Sequence, residues 1–116
     1  MFINRLGRVA ISFLMAVMCI FLAVSQPAKA EEFTSAEFLK WEEDSQNFFI
    51  EASVGMAASI ASQIKDKAEQ ASCIDRWYYP DQNEKNAFIR QIMQKNSEYH
   101  PRAIIIGVLE KQCGDF

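Results

Sequence analysis

Residues 71–80 read Ala71-Ser72-Cys73-Ile74-Asp75-Arg76-Trp77-Tyr78-Tyr79-Pro80 (ASCIDRWYYP). A cysteine is followed by three consecutive aromatics and a proline. Whether Cys73 is a nucleophile, a metal ligand or a staple decides what holds the flanking apolar segments together. That chemistry depends on redox compartment, so the reading moves to the N-terminus.

Arg5 and Arg8 form a positive n-region, and Val9 to Val24 is an apolar run in which Ser12 is the only polar residue. Pro27 then breaks the run, and Ala28-Lys29-Ala30 has the small-x-small pattern of a signal-peptidase site. The apolar run is shorter than the roughly 20 residues a spanning helix needs. Residues 1–30 are therefore expected to be a secretory signal cut after Ala30. Residues 31–116 are expected to form a single periplasmic or secreted domain, free of the membrane after cleavage. Removing Arg5, Arg8 and Lys29 leaves nine basic residues against 15 acidic ones, a formal charge of −6. Such a chain lacks the basic face that phosphate backbones require, so a nucleic-acid partner is not expected. A basic protein partner fits.

Cys19 leaves with the signal, so Cys73 and Cys113 remain. Two cysteines in an oxidising compartment read as one disulfide. A domain this small buries a low share of its surface and gains from such a staple. The staple reading outweighs a Cys73–His100 dyad, which would need a reduced thiol and a third group to orient the imidazole. Two cysteines and one histidine also lack zinc-ligand spacing. No Gly-rich phosphate loop is present. The acids Glu42-Glu43-Asp44 form a run, which reads as a solvated face. Neither catalytic residues nor cofactors are expected.

The remaining pattern is helical. Thr34-Ser35-Ala36-Glu37 is a capping box opening a first helix over 35–43. Phe49, Ala52, Met56, Ile60 and Ile64 recur at steps of three or four, predicting a helix over 46–70 with that face inward. Residues 71–80 read as an interruption. Asp81 to Glu84 caps a third helix over 82–97, with Phe88, Ile89, Ile92 and Met93 on one side. His100-Pro101 starts a last helix whose inner face is Ile104, Ile105, Val108 and Leu109, and Gly114 stops it. The fold class is all-α: a small bundle of about four helices with one disulfide. Trp77, Tyr78 and Tyr79 cannot all point inward from one short loop. Trp77 is expected on the core and at least one tyrosine outside, and the three together are candidate partner-binding residues. Residues 31–51 carry seven acids against Lys40 alone, a patch that would speed encounter with a basic partner.

The segments SAEFLKW, EASVGMAAS, CIDRW and HPRAIIIGVLEKQCG, in this order, resemble the Rap/Tai family of periplasmic immunity proteins, which neutralise cell-wall amidase effectors delivered by type VI secretion. The resemblance implies Cys73 and Cys113 as the family's disulfide and His100-Pro101 as the start of the closing helix. It implies an inhibitor that binds one secreted peptidoglycan amidase, as a homodimer. A second reading is a periplasmic acid-stress chaperone of the Hde type, which is also small, exported, helical and disulfide-held. A third is an envelope-associated structural protein.

Overall fold

The computed structural model describes residues 32–116; the expected signal segment, with Ala28, Ala30 and Cys19, lies outside the described residues. These residues form five α-helices and no strand. Helix α1 is Ser35–Phe38, α2 is Glu43–Gln63, α3 is Ala68–Tyr78, α4 is Gln82–Lys95 and α5 is Pro101–Cys113, with a 3-10 turn at Tyr79–Asp81 between α3 and α4.

Thr34 caps the first helix, Glu37 N–H donating to Thr34 Oγ1 at 3.3 Å, while the Glu37 carboxylate accepts from Lys40 at 3.0 Å. The helix it opens is shorter than expected and ends at Phe38. Gln46 explains the stop. Its buried side chain donates to the Leu39 carbonyl at 3.2 Å and the Trp41 carbonyl at 2.7 Å, so the turn's free acceptors are satisfied without a continuing helix. Ser35 ties α1 to the far end of the chain. Its backbone N–H and its hydroxyl both donate to the Tyr99 carbonyl, at 2.7 and 2.8 Å.

The helix expected over 46–70 is two helices. Asp66 sits at φ 67°, a left-handed conformation that Asp tolerates better than most residues, and the chain reverses over Ile64–Lys67. Helix α3 then doubles back along α2, bringing the Tyr79 hydroxyl opposite Gly55. Residues 71–78 are therefore helix and not an interruption. Ala71, Ile74 and Tyr78 are buried at helical spacing, while Ser72, Asp75 and Arg76 face outward.

Cys73 thus lies mid-helix on α3 and is bonded to Cys113, the last residue of α5, with Cα atoms 5.7 Å apart. Helix α5 begins as expected, His100 Nδ1 accepting from Arg102 N–H at 3.1 Å. It ends at Gly114, whose φ of 93° disfavours other residues. The core gathers Phe38 from α1, Ile50 and Val54 from α2, Ile74 and Tyr78 from α3, Ile89 and Met93 from α4, and Ile105 and Leu109 from α5, all fully buried.

Candidate functional site: an apolar groove along α2

Helix α2 carries two apolar stripes. The inward one is Ile50, Val54, Ala57, Ala58 and Ala61. The stripe expected to face the core is largely the other one. Ala52 is exposed, Met56 is 63% exposed, Ile60 51% and Ile64 44%, and Phe48 beside them is 73% exposed. Phe49 alone of that predicted face packs on the core, and only partly. The expectation is corrected by size. The second half of the inner stripe is Ala57, Ala58 and Ala61, next to the reversal into α3, and close approach there excludes the bulkier Met56 and Ile60.

The outer stripe and α5 enclose a groove of about 810 Å³. Phe49, Ala57 and Ile105 are among the residues deepest in it; Phe48, Met56, Ile60 and Ile106 form its walls, and Trp41 closes one end. Burying a side chain of this size is worth roughly 1.5–3 kcal/mol, so an uncovered row of them marks a surface that gains from contact. Two charges line the groove, Asp44 and Arg102. The Arg102 guanidinium carbon lies 5.1 Å from the Phe49 ring centroid, a cation–π placement. Phe33, Phe38, Trp41 and Phe49 pack as one aromatic cluster behind this end, with Phe33 stacked on Trp41 at 5.2 Å. A smaller groove of about 400 Å³ runs between α4 and α5 past Phe88, Ile92, Tyr99 and Ile104.

The three candidate contact residues face different ways: Trp77 and Tyr78 are a 100° step apart on α3, and Tyr79 opens the 3-10 turn that follows it. Tyr78 is fully buried, so it is a core residue and not a contact, correcting its assignment. Trp77 packs partly on the core, with Lys85 Nζ 5.2 Å from its ring centroid. Tyr79 is 44% exposed and stands edge-on to Tyr78. Burial pushes the Tyr78 hydroxyl up to about 12, helped by the charge of Glu51 and opposed by its hydrogen bond to Asn86. Tyr79 is raised in the same sense, by burial and then by Asp75 and Glu51.

The acids gather where the sequence puts them. Glu37, Glu42, Glu43, Asp44 and Glu51 are all exposed around α1 and the first half of α2. Lys40 pairs with Glu37 at 3.0 Å and Arg90 with Glu43 at 3.8 Å. Among the described residues, no three His, Cys, Asp or Glu side chains gather closely enough to hold a metal ion, and no helix is long and apolar enough to cross a membrane.

No family model, curated protein or solved structure matches this chain.

The groove is the surface that sequence reading missed. Its signal was present in Phe48, which fits neither the inner stripe nor a solvated face.

Proposed function

We propose that this is an exported binding protein without catalytic chemistry of its own, an immunity-type inhibitor that blocks a cell-wall hydrolase. The uncovered apolar groove along α2 carries the reading. It offers large side chains to a partner on a helical platform that the Cys73–Cys113 bond holds together. Exposed acids at its Trp41 end would attract a basic enzyme and set its orientation. The test is inhibition. The purified protein should block a peptidoglycan amidase recovered with it at neutral pH, and Met56→Arg, at an exposed position, should abolish the block while leaving helical content intact. A hydrolase blocked equally well by the variant would take the groove out of the reading, and failure to block any recovered hydrolase would sink the inhibitor reading itself.

The exposed run Glu42-Glu43-Asp44 beside the groove favours a second reading, the acid-stress chaperone. Acid would neutralise these carboxylates and leave the apolar surface less hydrated. A chaperone should bind an apolar dye more strongly near pH 3 and suppress aggregation of unrelated proteins there. A protein that does neither is not one.

A further inference from the structure

We propose that the groove along α2 also takes a single-chain zwitterionic phospholipid, with its acyl chain along the apolar walls and its phosphoethanolamine head between Arg102 and Asp44. This goes beyond the inhibitor reading, because it rests on how polarity changes from one end of the groove to the other. Both charges that line the groove lie at the end that Trp41 closes. Arg102 stands over the Phe49 ring at 5.1 Å, and Phe49 meets Trp41 edge-on at 5.9 Å. Asp44 precedes Phe48 by about one helical turn. Toward Met56 and Ile60, at the far end, no charged side chain among the described residues lines the groove. A surface shaped for a protein carries its polar groups around the whole rim. Charges at one end and apolar walls along the rest match a head and a tail.

Size fits the tail. Phe48 and Ile60 both lie on α2, about 18 Å apart along its axis at a rise of roughly 1.5 Å per residue. An acyl chain fills one leaflet, about 15 Å of a hydrocarbon core roughly 30 Å thick. The volume of about 810 Å³ falls within the roughly 300–1,000 Å³ of small-ligand sites. One trough between two helices takes one chain, and a second chain would be left in water. Charge selects the head. Among the described residues the ion pairs are Lys40 with Glu37 and Arg90 with Glu43, so Arg102 and Asp44 both remain available. A phosphate at Arg102 gains charge-assisted hydrogen bonds, and a primary ammonium gives Asp44 the same. A carboxylate-headed chain would meet Asp44, with Glu42 and Glu43 just before it, like against like. A quaternary ammonium would offer Asp44 no N–H. A loaded groove has Phe48 and Met56 covered, so lipid and hydrolase compete for it.

Equilibrium dialysis of the purified protein, disulfide intact, against radiolabelled palmitoyl lysophosphatidylethanolamine below its micelle concentration reads the site directly. Saturable uptake of one lipid per chain is expected, with a dissociation constant of about micromolar. Met56→Arg and Ile60→Arg, both at exposed positions, should each weaken it about tenfold or more, the scale of one apolar side chain left uncovered, with helical content unchanged. Uncharged monopalmitoylglycerol should bind about tenfold more weakly, the scale of a hydrogen bond to a charged group, and Arg102→Gln should remove most of that difference. Asp44→Asn should bring palmitate up toward the phospholipid. No saturable uptake up to about 100 μM overturns the proposal, and so does uptake indifferent to both arginine substitutions. Equal binding of the uncharged lipid overturns the placement of the head. Association only with vesicles of two-chain phosphatidylethanolamine would make the face a membrane contact and overturns the single-chain ligand. A protein that takes up lipid but blocks no hydrolase overturns only the inhibitor, whereas one that blocks a hydrolase through Met56 and takes up no lipid overturns only the lipid site.

Discussion

The Tyr78 hydroxyl donates to the Asn86 side-chain oxygen at 2.7 Å inside the core. Asn86 passes the interaction on, its amide donating to Asn47 Oδ1 at 3.3 Å, and Arg90 donates to the same oxygen at 2.6 Å. One chain of polar groups therefore joins α3, α4 and α2 across a packed interior. An unpaired buried hydroxyl costs about 1–3 kcal/mol, whereas removing both partners costs less. Asn86→Leu should destabilise by about that amount, and adding Tyr78→Phe should recover part of the loss. Urea unfolding midpoints decide it. A double variant as unstable as the sum of both singles would mean the two groups are not coupled.

The same hydroxyl sets an alkaline limit. Tyr78 holds its proton to about 12 in the folded protein, against about 10 in an unfolded chain. The folded state then binds more protons than the unfolded state between those values, so stability falls as pH rises. The contribution is fully present below pH 10 and is lost as pH climbs toward 12. Tyr79 is shifted in the same direction and adds to the slope. Unfolding free energy measured across this window should drop steeply for the wild type and less steeply for Tyr78→Phe. Equal slopes would show that Tyr78 ionises as freely in the folded state as in the unfolded one.

The Cys73–Cys113 bond spans a sequence separation of 40. Closing a loop of that length is worth about 4 kcal/mol in the chain-entropy model, a large share of the 5–15 kcal/mol typical of a whole domain. Cys73→Ser with Cys113→Ser should lower the unfolding free energy by about that amount. The thermal midpoint of the wild type in a strong thiol reductant should fall to meet the variant's. A reduced protein of undiminished stability would show that the five helices need no staple.

These relationships differ in how far sequence exposes them. The pairing of Cys73 with Cys113 follows from counting cysteines. The caps at Thr34 and Asp81 follow from residue type and spacing, and each forms; the start of the last helix follows from Pro101. The inward face of α2 does not follow. Phe49, Ala52, Met56 and Ile60 have the same helical spacing as Ile50, Val54, Ala57 and Ala61. Periodicity detects a face but cannot choose between two. Residue size makes the choice, and only after the reversal at Asp66 is known, a turn written in Lys65-Asp66-Lys67 with neither glycine nor proline. Residues 71–78 are misread as an interruption for the same reason, although Trp77 does pack partly on the core and Tyr79 is exposed, as expected. On a loop side-chain directions are free, but the helical spacing of α3 sends Tyr78 inward, while Tyr79, at the start of the 3-10 turn, stays exposed.

Two glycines inside helices test how closely the chain is packed. Replacing helical glycine with alanine gains up to about 1 kcal/mol when the new methyl meets nothing. At Gly107 on α5 an added Cβ has no neighbour within 4 Å, so Gly107→Ala should stabilise by roughly 0.5–1 kcal/mol. At Gly55 the same atom would stand 3.3 Å from the Tyr79 hydroxyl, tighter than ordinary contact. Tyr79 is partly exposed and can swing its ring end outward by a few tenths of an ångström, so Gly55→Ala should gain less than Gly107→Ala but should not unfold the protein. Thermal midpoints of the two variants rank them. If Gly55→Ala proved the more stabilising, Tyr79 would not be resting against α2. If it were strongly destabilising, the tyrosine could not move aside, and α3 would be held against α2 by more than the contacts of a surface ring.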